Sequence, residues 1–519
     1  MRRVVNAIAA AMLLAFPLVR AHGAGPQQSQ PSFHTSDRCL ACHNQLITPT
    51  GQDVSIGFDW RASIMANSSR DPYWQASVRR EDIDHPESKA KIEDSCADCH
   101  MPVSRFEAKE HGRLGGVFEF LPFAADPKAS ANAEDGVTCS VCHQISKSNF
   151  GTRQSFNGGF AIDAPVSKVN RPEYGPFDVQ PGQTHIMESS TGGFRPTESA
   201  HVRQSALCAT CHTLYTKTLD SQGKVVGELP EQMPYLEWQH SDYKDNVSCQ
   251  SCHMPQVNEE APIAAVLGQL RTGVRQHTFI GGNFFMLRLL NLYRDDLIVS
   301  ALPPELTAQA QRTTDFLQSQ AARVTLRHVD VNGSVLAADV FVENLSGHKL
   351  PTAFPSRRAW LHFVVKDGRG QTVFESGALN ADGSIRGNDN DADPLRFEPH
   401  YTEITSPDEV QIYEDILRDP AGRVTTGLTA ASGYAKDNRL LPSGFDKQTA
   451  SKDIAVRGEA ADDANFTGEG DLIRYSVSLA QAQGPFRVQA ELWYQPVGFR
   501  WAHNLASYNS PEPQRFVRY

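Results

Sequence analysis

The chain has 519 residues, too many for a single hydrophobic core, so two or three domains are expected. Its formal net charge of −11 argues against the basic surface that binding to nucleic acid requires, and suits a basic protein partner or simple solubility. After the N-terminus no run reaches the roughly 18 continuous apolar residues of a spanning helix, so no transmembrane segment is expected in the mature protein.

The N-terminus has the pattern of an export signal. Arg2 and Arg3 precede an apolar run from Val4 to Val19, and small residues follow as far as Ala24. We predict a cleaved signal peptide over residues 1–24 of the general secretory type, with the twin-arginine route and an uncleaved anchor as alternatives. The mature protein is therefore expected to be exported to the periplasm, with an outer-membrane-associated or extracellular location as alternatives.

The ten cysteines form five C-x-x-C pairs, and a histidine follows each pair directly. C-x-x-C-H is the attachment pattern for c-type haem, in which two thiols bond the porphyrin and the adjacent imidazole ligates the iron. Zinc sites do not need a histidine after every second cysteine, and five short disulfide loops of this form would be an unusual framework. We predict five covalent haems c. The pairs are Cys39 and Cys42, Cys96 and Cys99, Cys139 and Cys142, Cys208 and Cys211, and Cys249 and Cys252, and the proximal histidines are His43, His100, His143, His212 and His253.

Residues 28–304 contain all five motifs and are predicted to form a haem-packed pentahaem cytochrome domain of short helices and irregular loops. The motifs are unevenly spaced, which excludes a solenoid repeat. The apolar segment 282–298 predicts a buried helix. Residues 305–322 predict a further helix that connects this domain to the rest of the chain.

From residue 323 the hydrophobic pattern changes to period two. Residues 324–331 alternate, Asn332-Gly333 has the sequence of a hairpin turn, and further alternating runs follow with Gly, Asn and Asp between them. This pattern predicts an Ig-like antiparallel β-sandwich over residues 323–519. The expected fold is therefore multidomain, with a mostly α and irregular N-terminal part and a β C-terminal part.

Segments outside the five motifs indicate a more specific class of protein. They are S-I-M-A-N-S-S-R-D-P at 63–72, D-G-V-T-C-S-V-C-H-Q-I at 135–145, the run 199–216 around the fourth motif, E-Q-M-P-Y-L-E-W at 231–238 and G-H-K-L-P-T at 347–352. With the five motifs, they resemble periplasmic multihaem c-type cytochromes that carry a C-terminal β-domain, distantly similar to pentahaem nitrite reductase and hydroxylamine oxidoreductase. The resemblance implies electron transfer. The C-x-x-C-K motif of pentahaem nitrite reductases is absent, which argues against that activity.

The second axial ligand of each iron decides between an electron carrier and a catalyst, because an open position admits substrate. His201 precedes Cys208 by a helical spacing. His277 lies next to two glycines that would allow close approach to a porphyrin, and His348 lies in a short loop between two predicted strands. We predict all three as distal ligands. Two weaker candidates are His185, with Met187 as its alternative, and Met65, which competes with His34.

Asp389, Asp391 and Asp393 place three carboxylates at alternating positions. Such oxygen clusters can bind calcium, and an Asx-rich turn is the alternative interpretation.

Three functions are compatible with the sequence. The first is an electron carrier whose partners are other cytochromes or membrane quinol-linked complexes. The second is an oxidoreductase in which one open haem acts on a small nitrogen or sulfur compound. In the third, the β-region docks a partner protein.

Overall fold

The computed structural model describes residues 32–121, 127–163 and 170–519. The predicted signal peptide, residues 1–24, lies outside these ranges. Within them, no helix combines the length and the apolar character needed to cross a membrane.

The helices are short, and most of them precede residue 317. They are α1 (Asp37–Leu40), α2 (Ile56–Arg61), α3 (Pro72–Asp84), α4 (Lys89–His100), α5 (Pro102–Glu110), α6 (Pro127–Glu134), α7 (Cys139–Gln144), α8 (Pro181–Thr191), α9 (Ser205–Ala209), α10 (Pro234–Gln239), α11 (Cys249–His253), α12 (Phe284–Leu292), α13 (Pro303–Phe316), α14 (Asp389–Ala392), α15 (Phe499–His503) and α16 (Pro511–Arg518). We call residues 32–316 the helical region. Local signals set the ends of several helices: Asp71 caps α3 by accepting from two backbone N–H groups, and Gly192 ends α8 in the left-handed conformation.

The strands lie mostly after residue 321. They are β1 (Arg171–Gly175), β2 (Phe194–Glu198), β3 (Leu214–Leu219), β4 (Val225–Gln232), β5 (Ala322–Asn332), β6 (Val335–Asn344), β7 (Arg358–Lys366), β8 (Thr372–Ser376), β9 (Glu403–Ile404), β10 (Ile412–Arg418), β11 (Val424–Thr425), β12 (Gly433–Asp437), β13 (Asp471–Ser478) and β14 (Arg487–Gln495). We call residues 322–495 the strand region.

The strand region contains two sheets. One has the order β11-β10-β7-β14, with β12 also paired to β10 and β8 to β7, and the other has the order β5-β6-β13-β9. In the helical region β3 and β4 form a hairpin, and β1 and β2 pair in parallel. The two large sheets share one hydrophobic cluster, in which Phe363 of β7 stacks on Tyr475 of β13 with ring centroids 3.8 Å apart. Alternating apolar residues therefore bury one face of each sheet against the other.

The two regions are joined and packed together. The predicted connecting helix forms as α13, and a π turn at Leu317–Ala321 leads directly into β5. The C-terminal α16 returns to the helical region, where Phe516 packs on Tyr73 of α3 and Glu512 pairs with Arg79 at 2.8 Å. The end of the chain thus contributes to the core of the helical region.

Candidate functional site

A continuous cavity of about 1120 Å³ runs through the helical region. A pocket for one small molecule usually has about 300–1,000 Å³, so this space exceeds that of an ordinary single-ligand site. The ten motif cysteines and the five histidines that follow them all line it. Motifs that lie far apart in the sequence therefore fold around a shared space.

Short helices present the motifs to this cavity. The attachment sequences lie in or at the end of α1, α4, α7, α9 and α11. Residues i, i+3 and i+4 share one face of a helix, so the two cysteines and the histidine of each motif face the same side. Thr138 caps α7 by accepting a hydrogen bond from Ser140 N at 3.2 Å, which fixes the start of the third motif.

All ten cysteines are free thiols, and neighbouring motifs bring some of them together. The first motif meets the third, the second meets the fourth, and the fourth meets the fifth. The thiol pairs in contact are Cys39 and Cys139, Cys99 and Cys211, and Cys208 and Cys249. Burial raises the pKa of Cys142 to about 12, so that side chain is a thiol and not a thiolate at neutral pH. By thiol contact the sites thus fall into two groups, the first with the third and the second with the fourth and fifth, and all five line the same cavity.

Six cavity-lining histidines use the same ring nitrogen to bond a backbone carbonyl. The Nδ1 contacts are His43 to Ile263 O at 2.5 Å, His100 to Ser68 O at 3.1 Å, His143 to Tyr174 O at 2.6 Å, His253 to Ile280 O, His277 to Arg275 O at 3.2 Å and His348 to Lys349 O at 2.9 Å. A carbonyl oxygen only accepts, so Nδ1 donates the hydrogen and Nε2 keeps a bare lone pair. Burial also lowers the pKa of His100 to about 4 and that of His277 to about 3, which keeps these rings neutral. Neutral rings with a bare Nε2 are ready to ligate a metal.

Two of the motif histidines face a second imidazole. The rings of His143 and His277 have centroids 6.4 Å apart and planes 20° apart. Those of His253 and His348 have centroids 6.2 Å apart and planes 16° apart. In the described part of the chain, no second imidazole stacks on the ring of the other three motif histidines.

His348 lies on the loop between β6 and β7, so the strand region supplies one wall of the cavity. A buried polar cluster fixes this loop. Lys349 Nζ lies 2.6 Å from Asp437 Oδ2, and Thr352 Oγ1 donates to Glu237 of α10 at 2.6 Å. Arg439 pairs with both Asp437 and Glu237. The cluster therefore ties the His348 loop to the helical region.

His201, predicted from the sequence as a distal ligand, does not line the cavity. Its Nε2 lies 2.8 Å from Ile145 O, and its Nδ1 lies 2.6 Å from Ser199 Oγ. Because the carbonyl must accept, Nε2 carries the hydrogen and has no lone pair for a metal. His34 likewise bonds through Nε2, to Thr191 O at 2.7 Å. The structure places both as histidines that hold the backbone together.

Of the two weaker ligand candidates, Met65 lines the cavity and His185 does not. His185 is exposed on α8, whereas Met187 on the same helix lines the cavity. The structure thus favours the alternative that the sequence left open at this helix. Met65 also lines the cavity.

The calcium interpretation of the aspartate cluster is not supported. Asp391 is buried and makes a two-pronged ion pair with Arg358 at 2.7 and 2.9 Å. Asp389 pairs with Arg396, and Asp393 accepts from Leu395 N at 2.9 Å. Each carboxylate has its own donor, so the three oxygens do not converge on a common point.

A second group with metal-ligand chemistry, which the sequence analysis missed, lies in the strand region. His400 Nε2 is 3.1 Å from Asp463 and 3.8 Å from Asp471. The amide groups of Gln411 and Asn438 donate to His400 Nδ1, and their orientation is fixed because their oxygens accept backbone N–H groups. Nε2 therefore carries the hydrogen and donates to Asp463, which makes this a buried hydrogen-bonded pair.

The chain has the fold of a multihaem cytochrome. No protein-family model and no curated protein matches the sequence. Among solved structures, a penta-heme cytochrome c552 from Thermochromatium tepidum is similar over 93% of this chain and 96% of that chain, with a TM-score of 0.50 and 15% identity. This similarity confirms the cytochrome fold that the motifs indicated, and it concerns the fold alone.

Proposed function

We propose that this chain is an exported pentahaem cytochrome c that transfers electrons. The carrying observation is that all five C-x-x-C-H motifs line one cavity, with four of the five proximal histidines bonded through Nδ1. The Thermochromatium protein, whose fold this chain shares, is a penta-heme cytochrome. Each cysteine pair would bond one haem, and the following histidine would ligate its iron.

The facing imidazoles support two irons with histidine on both sides. Imidazole nitrogens at about 2 Å on either side of a metal place the ring centroids roughly 6 Å apart. The separations of 6.4 Å for His143 and His277 and 6.2 Å for His253 and His348 fit that spacing. His277 and His348 are therefore the proposed distal ligands.

Bound haem supplies a one-electron centre whose potential depends on its axial ligands. The residues of the chain orient the ligands, exclude water and place the sites near each other. Carbonyl groups orient the imidazoles, burial keeps water from them, and the fold brings the five motifs around one cavity. Close spacing of this kind suits electron transfer between neighbouring centres, with other cytochromes or membrane quinol-linked complexes as partners.

The proposed domains are a pentahaem domain over residues 28–304, a connecting helix over 305–322 and an Ig-like β-sandwich over 323–519. The shared core of the two large sheets supports the sandwich. Because His348 comes from it, the sandwich is proposed to be a working part of the cofactor site. The signal peptide over residues 1–24 and a periplasmic location remain part of the same proposal.

The second candidate function is catalysis at a haem whose iron has an open position, and the surroundings of three motif histidines support it. Within the described residues, no second imidazole stacks on His43, His100 or His212, whereas His143 and His253 each have one. Met65 and Met187 line the same cavity and can ligate some of these sites. A site without a second ligand would act on a small nitrogen or sulfur compound.

The test begins with the mass of the mature protein made in a host that matures c-type cytochromes. We expect the mass of five haems, and four in Cys96→Ala/Cys99→Ala. A wild-type mass without covalent haem would refute the proposal. Carbon monoxide added to the reduced protein separates the two candidates, because a carrier with every iron ligated twice gives no spectral change and an open site gives one.

A further inference from the structure

We propose that Arg357 and Tyr494 form an oxyanion-binding site in the wall of the cavity. Its ligand is a carboxylate or a small inorganic oxyanion. This inference rests on the proposed function, because the cavity it borders is the one assigned to the haems.

Strand pairing places the two side chains next to each other. Tyr494 of β14 lies directly opposite Ala359 of β7 in the antiparallel register, so their side chains project on the same face. Arg357 directly precedes β7, and its guanidinium is close enough to Tyr494 for its charge to act on the phenol. The small side chain of Ala359 leaves room between them. Both Arg357 and Tyr494 line the cavity.

The cationic group of Arg357 has no anionic partner in the part of the chain that the structure describes. Its Nη1 donates to Thr352 O at 2.9 Å, which fixes the side chain and leaves its other N–H groups free. The hydroxyl of Tyr494 likewise has no hydrogen-bond partner within the described ranges. Two donors with unused hydrogens thus lie at the same wall.

Gly282 fixes the position of the tyrosine hydroxyl. A Cβ atom at this glycine would lie 2.5 Å from Tyr494 Oη, so no larger residue fits there without a shift. The ring of Phe284, at the start of α12, lies 6.4 Å from the Tyr494 ring. The segment before α12 therefore packs against the phenol and holds it at the cavity.

Charge explains the preference for an anion. A guanidinium taken out of water without a partner is costly, and a carboxylate or oxyanion relieves that cost through charge-assisted hydrogen bonds. The site borders the imidazoles of His253 and His348, and an imidazole carries no negative charge in any protonation state, so neither ring can act as the counter-ion of Arg357. The two sources of suitable chemistry are a haem propionate and a small oxyanion such as nitrite or sulfite.

The experiment uses the haem-loaded full-length protein and three variants. Arg357→Gln removes the charge, Tyr494→Phe removes the hydroxyl, and Arg474→Gln is the control, because Arg474 pairs with Asp339 on the exposed face of β13. Haem content is first measured by intact mass. A wild-type protein without five haems would refute the proposed function. The anion site is tested only on protein that carries five haems, so the two failures are distinguishable.

Nitrite and sulfite are then titrated into the oxidised proteins by calorimetry, and each haem potential is followed by optical redox titration. A small-oxyanion ligand predicts binding to the wild type and to Arg474→Gln that weakens about tenfold or more in Arg357→Gln and weakens in Tyr494→Phe. A propionate ligand predicts no binding heat and a lower midpoint potential for one haem in Arg357→Gln, because loss of a positive charge favours the oxidised state. Arg357→Lys should restore part of either effect. If Arg357→Gln changes neither quantity relative to Arg474→Gln, the inference is wrong.

Discussion

His253 and His348 lie with ring centroids 6.2 Å apart, although one belongs to an attachment motif in α11 and the other to a loop of the strand region. Each bonds a backbone carbonyl through Nδ1, so the two bare Nε2 atoms belong to facing rings. The strand region therefore contributes a ring with a bare nitrogen to the cavity, in addition to packing against the helical region.

His348→Ala should convert one haem from low spin to high spin, because it removes the proposed second ligand of the iron at His253. Absorption and electron paramagnetic resonance spectra of the oxidised protein measure the change, and the reduced variant should gain one carbon monoxide site. His328→Ala, at an exposed position of β5, is the control. Unchanged spin states in the His348 variant would remove this residue from the ligand set.

His201→Ala should leave the spin state of every haem unchanged, because the His201 ring does not line the cavity and its nitrogens bond Ile145 O and Ser199 Oγ. Loss of these two buried hydrogen bonds should still lower stability by about 1–3 kcal/mol. Urea unfolding and the oxidised spectrum together distinguish the two effects. A new high-spin signal would instead support the sequence-based prediction that His201 is a distal ligand.

Asp437→Asn should destabilise the protein by about 3–5 kcal/mol, because it leaves the buried charge of Lys349 without its ion-pair partner and removes one of the carboxylates that pair with Arg439. Burial raises the pKa of Asp437, but the charges of Arg439 and Lys349 outweigh burial and hold the pKa well below its usual range. The stabilisation from this carboxylate is therefore present above about pH 4 and is lost as the pH falls further.

The comparison variant for Asp437 is Asp419→Asn, because Asp419 pairs with the exposed Arg423 at the surface. Urea unfolding at pH 7 should show a small effect for this variant. Equal losses of stability in the two variants would contradict the importance assigned to the buried cluster.

The stability of the protein should fall as the pH is lowered from about 6.5 to about 4, in part because of His400. Burial lowers the pKa of His400 to about 4, although Asp463 opposes the shift. In this window the unfolded chain binds a proton at His400 that the folded chain does not, which costs on the order of 3 kcal/mol at the acid end. His400→Gln should flatten the dependence, whereas His328→Gln should not. A slope unchanged in His400→Gln would contradict the assignment.

Calcium chloride should not raise the melting temperature, because Asp389, Asp391 and Asp393 each have a separate donor. Thermal unfolding with millimolar calcium and with a chelator checks this expectation. Asp391→Asn should instead lower stability by about 3–5 kcal/mol by leaving Arg358 buried and unpaired. Stabilisation by calcium that disappears in Asp391→Asn would restore the metal interpretation.

The elements with strong local signals could be predicted from sequence. The alternating segments after residue 323 form β5, β6, β7, β8, β13 and β14, and the apolar segment before residue 298 forms α12, which ends earlier than predicted at Leu292. The return of α16 onto α3 had no local signal, because it depends on contacts such as Tyr73 with Phe516 that join opposite ends of the chain.

The sequence by itself determined the five attachment motifs, because their chemistry requires two thiols and an imidazole at fixed spacing on one turn of helix. Only the tertiary structure decided which other histidines reach the cavity. His201 and His348 were both plausible ligands in the sequence, but a remote carbonyl bonds Nε2 of the first, and a neighbouring carbonyl bonds Nδ1 of the second. The ring nitrogen that remains bare depends on where the acceptor lies in space, and spacing along the chain does not specify that.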